Sequence, residues 1–423
     1  MALPSIKNLG VIMTIEQFVK IGVKRTISEI MSILDYCLFN ILELLSRKKK
    51  YTNFRKSDPK QKKSVAVSVV DIEFGRKNHF YKVYTVGFYN KNNIKRISQK
   101  LNIFNSVPEY YSYNDVLYYP ARRSPFINGG LYTARGELIN ASALFRGYAR
   151  NEQITKPLAI TSTTHNLKKI KPLHESYVYI GPIINHYGHF LTECISRLWY
   201  IIKNTQKDTL LLFHGNPNVF KVDYIKSFFD LLNIDRKRLI ILDRPALLSN
   251  VVIPYPSMSN RAEIYQIHKL STQIAATNSL AGRKIQKTAQ PLYLSRKSLG
   301  RRQRKNVNER ELEKHLLDNK IRVIDPQTLD LNQQIYLFNK HKIIIGSIGS
   351  AHHNSLFSLN SKVHIYITAR IETNYLMIDY INNNKSYYIK TLSDKLSLKQ
   401  GAGKNFFLDV GTTIESLKEI GVL

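Results

Sequence analysis

Cysteine is nearly missing from this chain of 423 residues: Cys37 and Cys194 are the only two, and no CxxC spacing occurs. That excludes a disulfide framework and a cysteine-based structural zinc site, and suits a reducing compartment. Long apolar runs are missing too. No stretch reaches the roughly 18 uninterrupted apolar residues of a membrane span, and the first residues lack the basic, apolar and small-residue order of a secretory signal. The expected location is the cytoplasm, either free or peripheral on the inner face of the cell membrane.

Acidic residues are scarce as well. There are 31 of them against 63 Lys and Arg, a formal charge of +32. An excess of this size predicts a strongly anionic partner: nucleic acid, anionic lipid headgroups or phosphorylated small molecules. Hydrophobic residues at 43% and charged residues at 22% are ordinary for a folded protein, so disorder is not the default. The chain is too long for one compact core and fits two domains of about 150 to 200 residues plus an extension.

Ile27, Ile30, Met31, Leu34, Leu38, Ile41, Leu42 and Leu45 recur at helical spacing, with Glu29, Asp35 and Glu43 interrupting any span. Behind this amphipathic helix comes RKKKYTNFRKSDPKQKK, residues 47–63, where nine of 17 residues are basic. The 1–63 region therefore either lies on an anionic membrane surface or packs on the main body with a solvated linker behind it. From Ser64 the pattern turns to strands: SVAVSVVDIEF, HFYKVYTVGFY, DVLYYP and GELINASALF. Strands and helices then alternate, with SYVYIG, TLLLFHG and RLIILD as strands and YIKSFFDLLNI as a helix. AGRKIQKTAQP, residues 281–291, is polar and ends in proline, which places an interdomain linker there. Beyond it PLYLS, IRVID, HKIIIG and KVHIYI read as strands, ERELEKHLLD and NQQIYLFNK as helices, with a further helix from about Ala351. Such alternation predicts parallel sheets covered by helices.

Three stretches could carry chemistry. In IIIGSIGSAHHNSLF a buried strand ends in a Gly/Ser turn that opens a helix, and such a turn aims backbone N–H groups at one point where a phosphate fits. Gly346 and Gly349 allow close backbone approach, while Ser350, His353 and Asn354 can donate to phosphate or sugar oxygens. In YLSRKSLGRRQRKNVNERE a strand runs into a loop with Arg296, Lys297, Arg301, Arg302, Arg304 and Lys305, six cations in ten residues. Arginine forks match phosphate oxygens in pairs and suit a diphosphate leaving group, although a charge run is commonly just a solvated face.

The third stretch is NHYGHFLTECISRLW, residues 185–199. On a helix starting near Gly188, Phe190, Leu191, Cys194, Ile195, Leu198 and Trp199 form an apolar core face, and His189, Glu193 and Arg197 follow at i, i+4, i+8 along a polar stripe. His186, His189 and Glu193 make HxxHxxxE, which is not a zinc protease motif, and no metal is expected. The stripe is either a solvated surface with a Glu193–Arg197 pair or a cleft face, with His189 as general base or sugar ligand and Glu193 as its partner or the base itself.

These stretches together resemble glycosyltransferase family 61, from about Ser176 to Ile367. A family motif N-x-x-H-F-L-x-E-x-x-x-R-L-W looks like Tyr187 to Trp199, with His189, Phe190, Glu193, Arg197 and Leu198 in matching places. A Y-x-S-R element followed by R-R-x-x-N-E looks like Tyr293, Ser295 and Arg296 followed by Arg304, Lys305, Asn308 and Glu309. A G-x-x-G-A-G-x-x-N-x-x-F motif looks like Gly346, Gly349, Ser350, Ala351, Asn354 and Phe357. Ile348 and Ala351 depart from it, which leaves His352 and His353 to take over a donor contact.

The resemblance implies an α/β, GT-B-like architecture: two facing Rossmann-like domains, here an acceptor-side domain at 64–285 and a nucleotide-sugar domain at 286–423, with the amphipathic helical extension in front. It also implies inversion at the anomeric carbon, a nucleotide-sugar donor as substrate with no cofactor or required metal, and a glycan or lipid-linked glycan acceptor. On this reading His189 and Glu193 are catalytic, while Arg296, Arg304, Asn308, Gly349, Ser350, His353 and Asn354 hold the donor. The expected setting is bacterial capsule or lipopolysaccharide synthesis. Two alternatives stay open: a basic nucleic-acid-binding protein, which lacks any recognition module here, and a catalytically silent family member that binds glycan or nucleotide.

Overall fold

The computed structural model describes residues 66–74, 79–86, 91–121, 128–147, 152–158, 170, 172–204, 208–299, 306, 308–368, 371–390 and 408–423. The expected amphipathic helix and basic linker at 1–63 lie outside the described residues, as do Arg301, Arg302, Arg304 and Lys305.

Short β-branched and aromatic runs alternate with helices along most of the chain, and they assemble into two mainly parallel sheets, the mixed α/β architecture that the pattern predicts. The six-stranded sheet has the order Leu239–Ile241, Leu210–Gly215, Pro172–Ile183, Ala246–Pro254, Tyr110–Tyr119, Gly130–Tyr132; the first four strands are parallel, and the last two add on antiparallel. The seven-stranded sheet has the order Val67–Phe74, His79–Val86, Lys385–Lys390, Val363–Thr368, Ile343–Ser347, Leu292–Leu294, Arg322–Ile324, and only its first strand is antiparallel.

The strands expected in SYVYIG, TLLLFHG, RLIILD, PLYLS, IRVID, HKIIIG and KVHIYI are all present, and so are the helices Asp223–Leu231, Glu309–Asp318 and Leu331–Lys340. The last begins with a capping box between Asp330 and Gln333, which satisfies two otherwise orphaned N–H groups. GELINASALF differs from its expected strand. Ser142 closes back on Ile139 through both its N–H and its hydroxyl, at 2.8 and 2.7 Å, and the segment forms a 3-10 turn at Asn140–Ser142. Only its last residue, Phe145, enters a strand, the two-residue Phe145–Arg146.

Chain order and sheet membership part company at residues 67–86. These fall in the 64–285 region by sequence, yet His79–Val86 pairs in parallel with Lys385–Lys390, so the hairpin completes the sheet of the C-terminal region. Val65–Leu423 form one compact unit. Its largest apolar cluster draws Val178 and Ile180 from one sheet and Tyr366 and Tyr388 from the other, together with Phe190, Phe228, Ala275 and Phe357 from helices. Phe228 packs edge-on against Phe190 and Phe357, with ring centroids 5.2 and 6.1 Å away. Each such side chain contributes about 1.5 to 3 kcal/mol by leaving water. Among the described residues no helix is long and apolar enough to cross a membrane.

Candidate active site

Strand Pro172–Ile183 ends in a short loop, and the chain re-enters helix at Tyr187–His189, where the His186 ring accepts the His189 N–H at 3.4 Å. From Phe190 to Cys194 the coil widens: the Ile195 N–H reaches the Phe190 carbonyl, five residues back, at 3.2 Å. A π turn of this kind inserts a residue and rotates every later side chain about the axis. Phe190, Leu191, Cys194, Ile195, Leu198 and Trp199 are buried, as the apolar face predicts.

Arg197 is not on the expected polar stripe. It is 1% exposed, its Nε donates to the Pro254 carbonyl at 2.8 Å and its Nη2 to the Ala141 carbonyl at 3.1 Å. The residue that pairs with Glu193 is instead Arg146, whose Nε and Nη2 lie 2.7 and 2.8 Å from the two carboxylate oxygens in a bidentate fork. His189 Nδ1 stands 2.6 Å from Glu193 Oε2, and Asn260 Nδ2 donates to Oε1. Burial pushes the Glu193 carboxyl up, but the hydrogen bonds from His189 and Arg146 outweigh it and hold the group below its usual range. Glu193 is therefore an anion that can only accept, so the proton in the 2.6 Å contact belongs to His189 Nδ1, and the 3.4 Å approach of Arg146 Nη2 to the same nitrogen is a contact between two donors that both point to the carboxylate. Neither Arg146 nor Asn260 belongs to a sequence motif named above.

The basic strand end is built on Glu309. Its Oε1 accepts from the Tyr293 hydroxyl at 2.8 Å, the Arg296 backbone N–H at 2.9 Å and the Asn306 amide at 3.2 Å, which ties the end of strand Leu292–Leu294 to the start of helix Glu309–Asp318. Burial pushes the Glu309 carboxyl up. Arg296 then reaches across to the next turn, with Nη1 3.1 Å from the Ile348 carbonyl. The missing side chain of Gly349 makes room for it, because a Cβ would sit 1.8 Å from the same Nη1. Asn308 goes elsewhere: its amide exchanges two hydrogen bonds with the Leu408 backbone, at 2.8 and 2.9 Å.

The Gly/Ser turn leads into a 3-10 helix, Ser350–Phe357, and this meets the His189 segment directly. A Cβ on Gly188 would lie 2.7 Å from Ser350 Oγ and 3.4 Å from His353 Nδ1, so the missing side chain lets the Ser350 and His353 side chains come up against the Gly188 backbone. Next to it the Tyr187 hydroxyl donates to Asn354 Oδ1, and Asn354 Nδ2 donates to Gln334 at 2.7 Å. His353 is 7% exposed and stacks on Tyr375 at 4.8 Å. Burial, then the neighbouring His352 and His189, push it down to about 3, so the ring is neutral. Both of its ring nitrogens lack a hydrogen-bond partner among the described residues. His189, Glu193, Arg296, Gly349, Ser350, His353 and Asn354 are thus brought to one place, from three separate parts of the sequence.

The family model described as Glycosyltransferase 61 matches residues 187–365. The chain carries a glycosyltransferase family 61 domain. The family 61 segment opens at Tyr187 and closes at Ile365, so it holds every residue of this cluster except Arg146, which lies upstream. No curated protein matches the chain. The family match supports a glycosyltransferase and, in general terms, a nucleotide-sugar donor and a glycan acceptor. Among the described residues no group of three or more His, Cys, Asp or Glu side chains is placed to hold a metal ion.

Proposed function

We propose that this family 61 protein is an inverting glycosyltransferase of the GT-B type, which moves a sugar from a nucleotide-sugar donor to a glycan or lipid-linked glycan hydroxyl without a required metal. The observation that carries the reading is the meeting of His189 and Glu193 with the Ser350–Phe357 turn across Gly188, beside the Arg296 guanidinium. One ring nitrogen of His189 is committed to Glu193, which makes Nε2 the nitrogen for proton transfer. The acceptor hydroxyl gives its proton to Nε2 as its oxygen forms a bond to the sugar C1. On the opposite face the bond from C1 to the phosphate oxygen breaks, and the nucleoside diphosphate leaves with the electron pair.

Arg296, with the start of the Ser350–Phe357 helix, would meet the growing diphosphate charge, and Arg304 is the second cation of this reading. His353 and Asn354 would contact sugar hydroxyls; a neutral imidazole offers one donor and one acceptor. Residues 64–285 would supply most of the acceptor side and 286–423 the donor side. The setting we favour is bacterial capsule or lipopolysaccharide assembly at the cytoplasmic face of the membrane.

A thermal-shift panel of nucleotide sugars tests the reading, because a ligand that binds only the folded state at 100 times its Kd stabilises by about 2.7 kcal/mol. At least one nucleotide sugar should raise Tm in the wild type and fail to do so in Arg296→Ala. A panel without any response, together with RNA or DNA binding of steep salt dependence, would replace it with the nucleic-acid reading.

A further inference from the structure

Arg146 stands outside the family segment and outside every motif, yet its guanidinium grips both carboxylate oxygens of the candidate catalytic pair. It is delivered there by backbone architecture. Strand Phe145–Arg146 pairs with Glu152–Gln153, the Leu144 N–H is held by Thr155 Oγ1 at 3.0 Å, and the Gly147 N–H donates to the Asn260 carbonyl at 3.0 Å. Asn260 in turn donates to Glu193 and accepts from Asn374 Nδ2 at 3.0 Å. The arginine is therefore placed by the same hairpin and the same asparagine that bound the carboxylate.

A carboxyl group with a fully buried side chain, facing an imidazole, either takes up a proton and stands as an acid beside a neutral ring, or stays an anion beside an imidazolium or, with one proton fewer, beside a neutral Nδ1–H ring. In the first case the acid donates to Nδ1, the ring proton moves to Nε2, and the nitrogen that should accept a proton is blocked. A guanidinium fork on both oxygens excludes that case, since it stabilises only the anion. The fork also brings one positive charge to one negative one, so the ring has no need to carry the balancing charge itself. Lysine could supply the charge but not the two parallel bonds.

We propose that Arg146 is a positioning residue for proton transfer: by holding Glu193 as an anion, it keeps the His189 proton on Nδ1 and reserves Nε2 for the substrate proton. The proposal rests on the reading of His189 as base, but its test does not need the sugar reaction.

Full-length protein labelled with ¹⁵N-histidine, without ligand, reports the tautomer of each neutral ring, and the His189 signals are those lost in His189→Gln. The wild type should show His189 protonated at Nδ1. In Arg146→Met the proton should move to Nε2 as Glu193 takes a proton from solvent and donates to Nδ1; Arg146→Lys should keep most of the Nδ1–H form. An unchanged Nδ1–H tautomer in folded Arg146→Met overturns the proposal. If that variant does not fold, a ¹³C-carboxyl titration of the wild type decides: Glu193 ionising at or above the ordinary glutamate range overturns it, and ionising below that range supports it. A glycosyltransfer reading that fails in the nucleotide-sugar panel leaves these signals where they are, so the two failures are distinguishable.

Discussion

Arg296 lies against Gly349 so closely that a methyl group on residue 349 would sit 1.8 Å from Nη1 and 3.1 Å from Cζ. The strand end after Leu294 and the turn after Ser347, 53 residues apart by number of the two contacting positions, are locked by the fit of one long side chain over one missing one.

Gly349→Ala should therefore separate binding from folding. What the new methyl meets is the far end of a flexible side chain, so the guanidinium swings away and the backbone stays. Stability is expected to change by less than about 1 kcal/mol. Affinity for pyrophosphate, the shared part of nucleoside diphosphate donors, should fall about tenfold, equivalent to about 1.4 kcal/mol. Calorimetric titration reads this directly, and unchanged affinity would remove Arg296 from the anion site.

Acid should unfold the protein unusually early. His214 and His268 are pushed down to about 4, and His352 and His353 to about 3, in each case chiefly by burial, from an ordinary 6.5. Their folded values are depressed, so the stability they contribute is present above pH 6.5 and is lost as pH falls toward 3 to 4. Each costs about 1.4 kcal/mol per pH unit over that window, and four together about 5.6 kcal/mol per pH unit, on the scale of a whole domain's stability. Asp379 acts with the opposite sign: burial raises it to about 6, so its contribution is lost as pH rises through that value. Glu309, also pushed up by burial, acts in the same direction as Asp379, and two carboxyls do not balance four imidazoles. Tm should drop steeply between pH 6.5 and 5; a flat profile over that range would show that the buried rings take up protons without penalty.

Arg197→Met tests the reassignment of that residue from cleft to core. The change leaves the Pro254 and Ala141 carbonyls without their guanidinium donors, at a cost of about 2 to 4 kcal/mol. Tm is expected to fall, and the response of the folded protein to nucleotide sugars to persist. The reverse pattern would return Arg197 to the site.

Much of the fold was legible because local patterns carry it: the runs SYVYIG, HKIIIG and KVHIYI read as strands and are strands, and the three motifs in order pointed to one site. What stayed hidden has physical reasons. Helical periodicity assumes a constant 3.6 residues per turn, and the π turn at Phe190–Cys194 breaks it, so Arg197 was placed on the wrong face. Arg146 meets Glu193 from 47 residues away through a hairpin whose first half reads as an ordinary strand. Asn308 matches a motif by position, yet its amide is taken up by Leu408, 100 residues on.

The hairpin at the edge of the second sheet has a consequence for synthesis. Tyr81 bonds to the Asn384 carbonyl, 303 residues later, and among the described residues the parallel neighbour of His79–Val86 is Lys385–Lys390. At roughly 5 to 20 residues per second, a ribosome needs on the order of half a minute to make that stretch. During that interval the hairpin's open edge along His79–Val86 must wait without Lys385–Lys390. The sheet thus joins strands from residues 67–86 to strands from 292–390, and a chain that stops short of residue 385 leaves His79–Val86 paired only with Val67–Phe74.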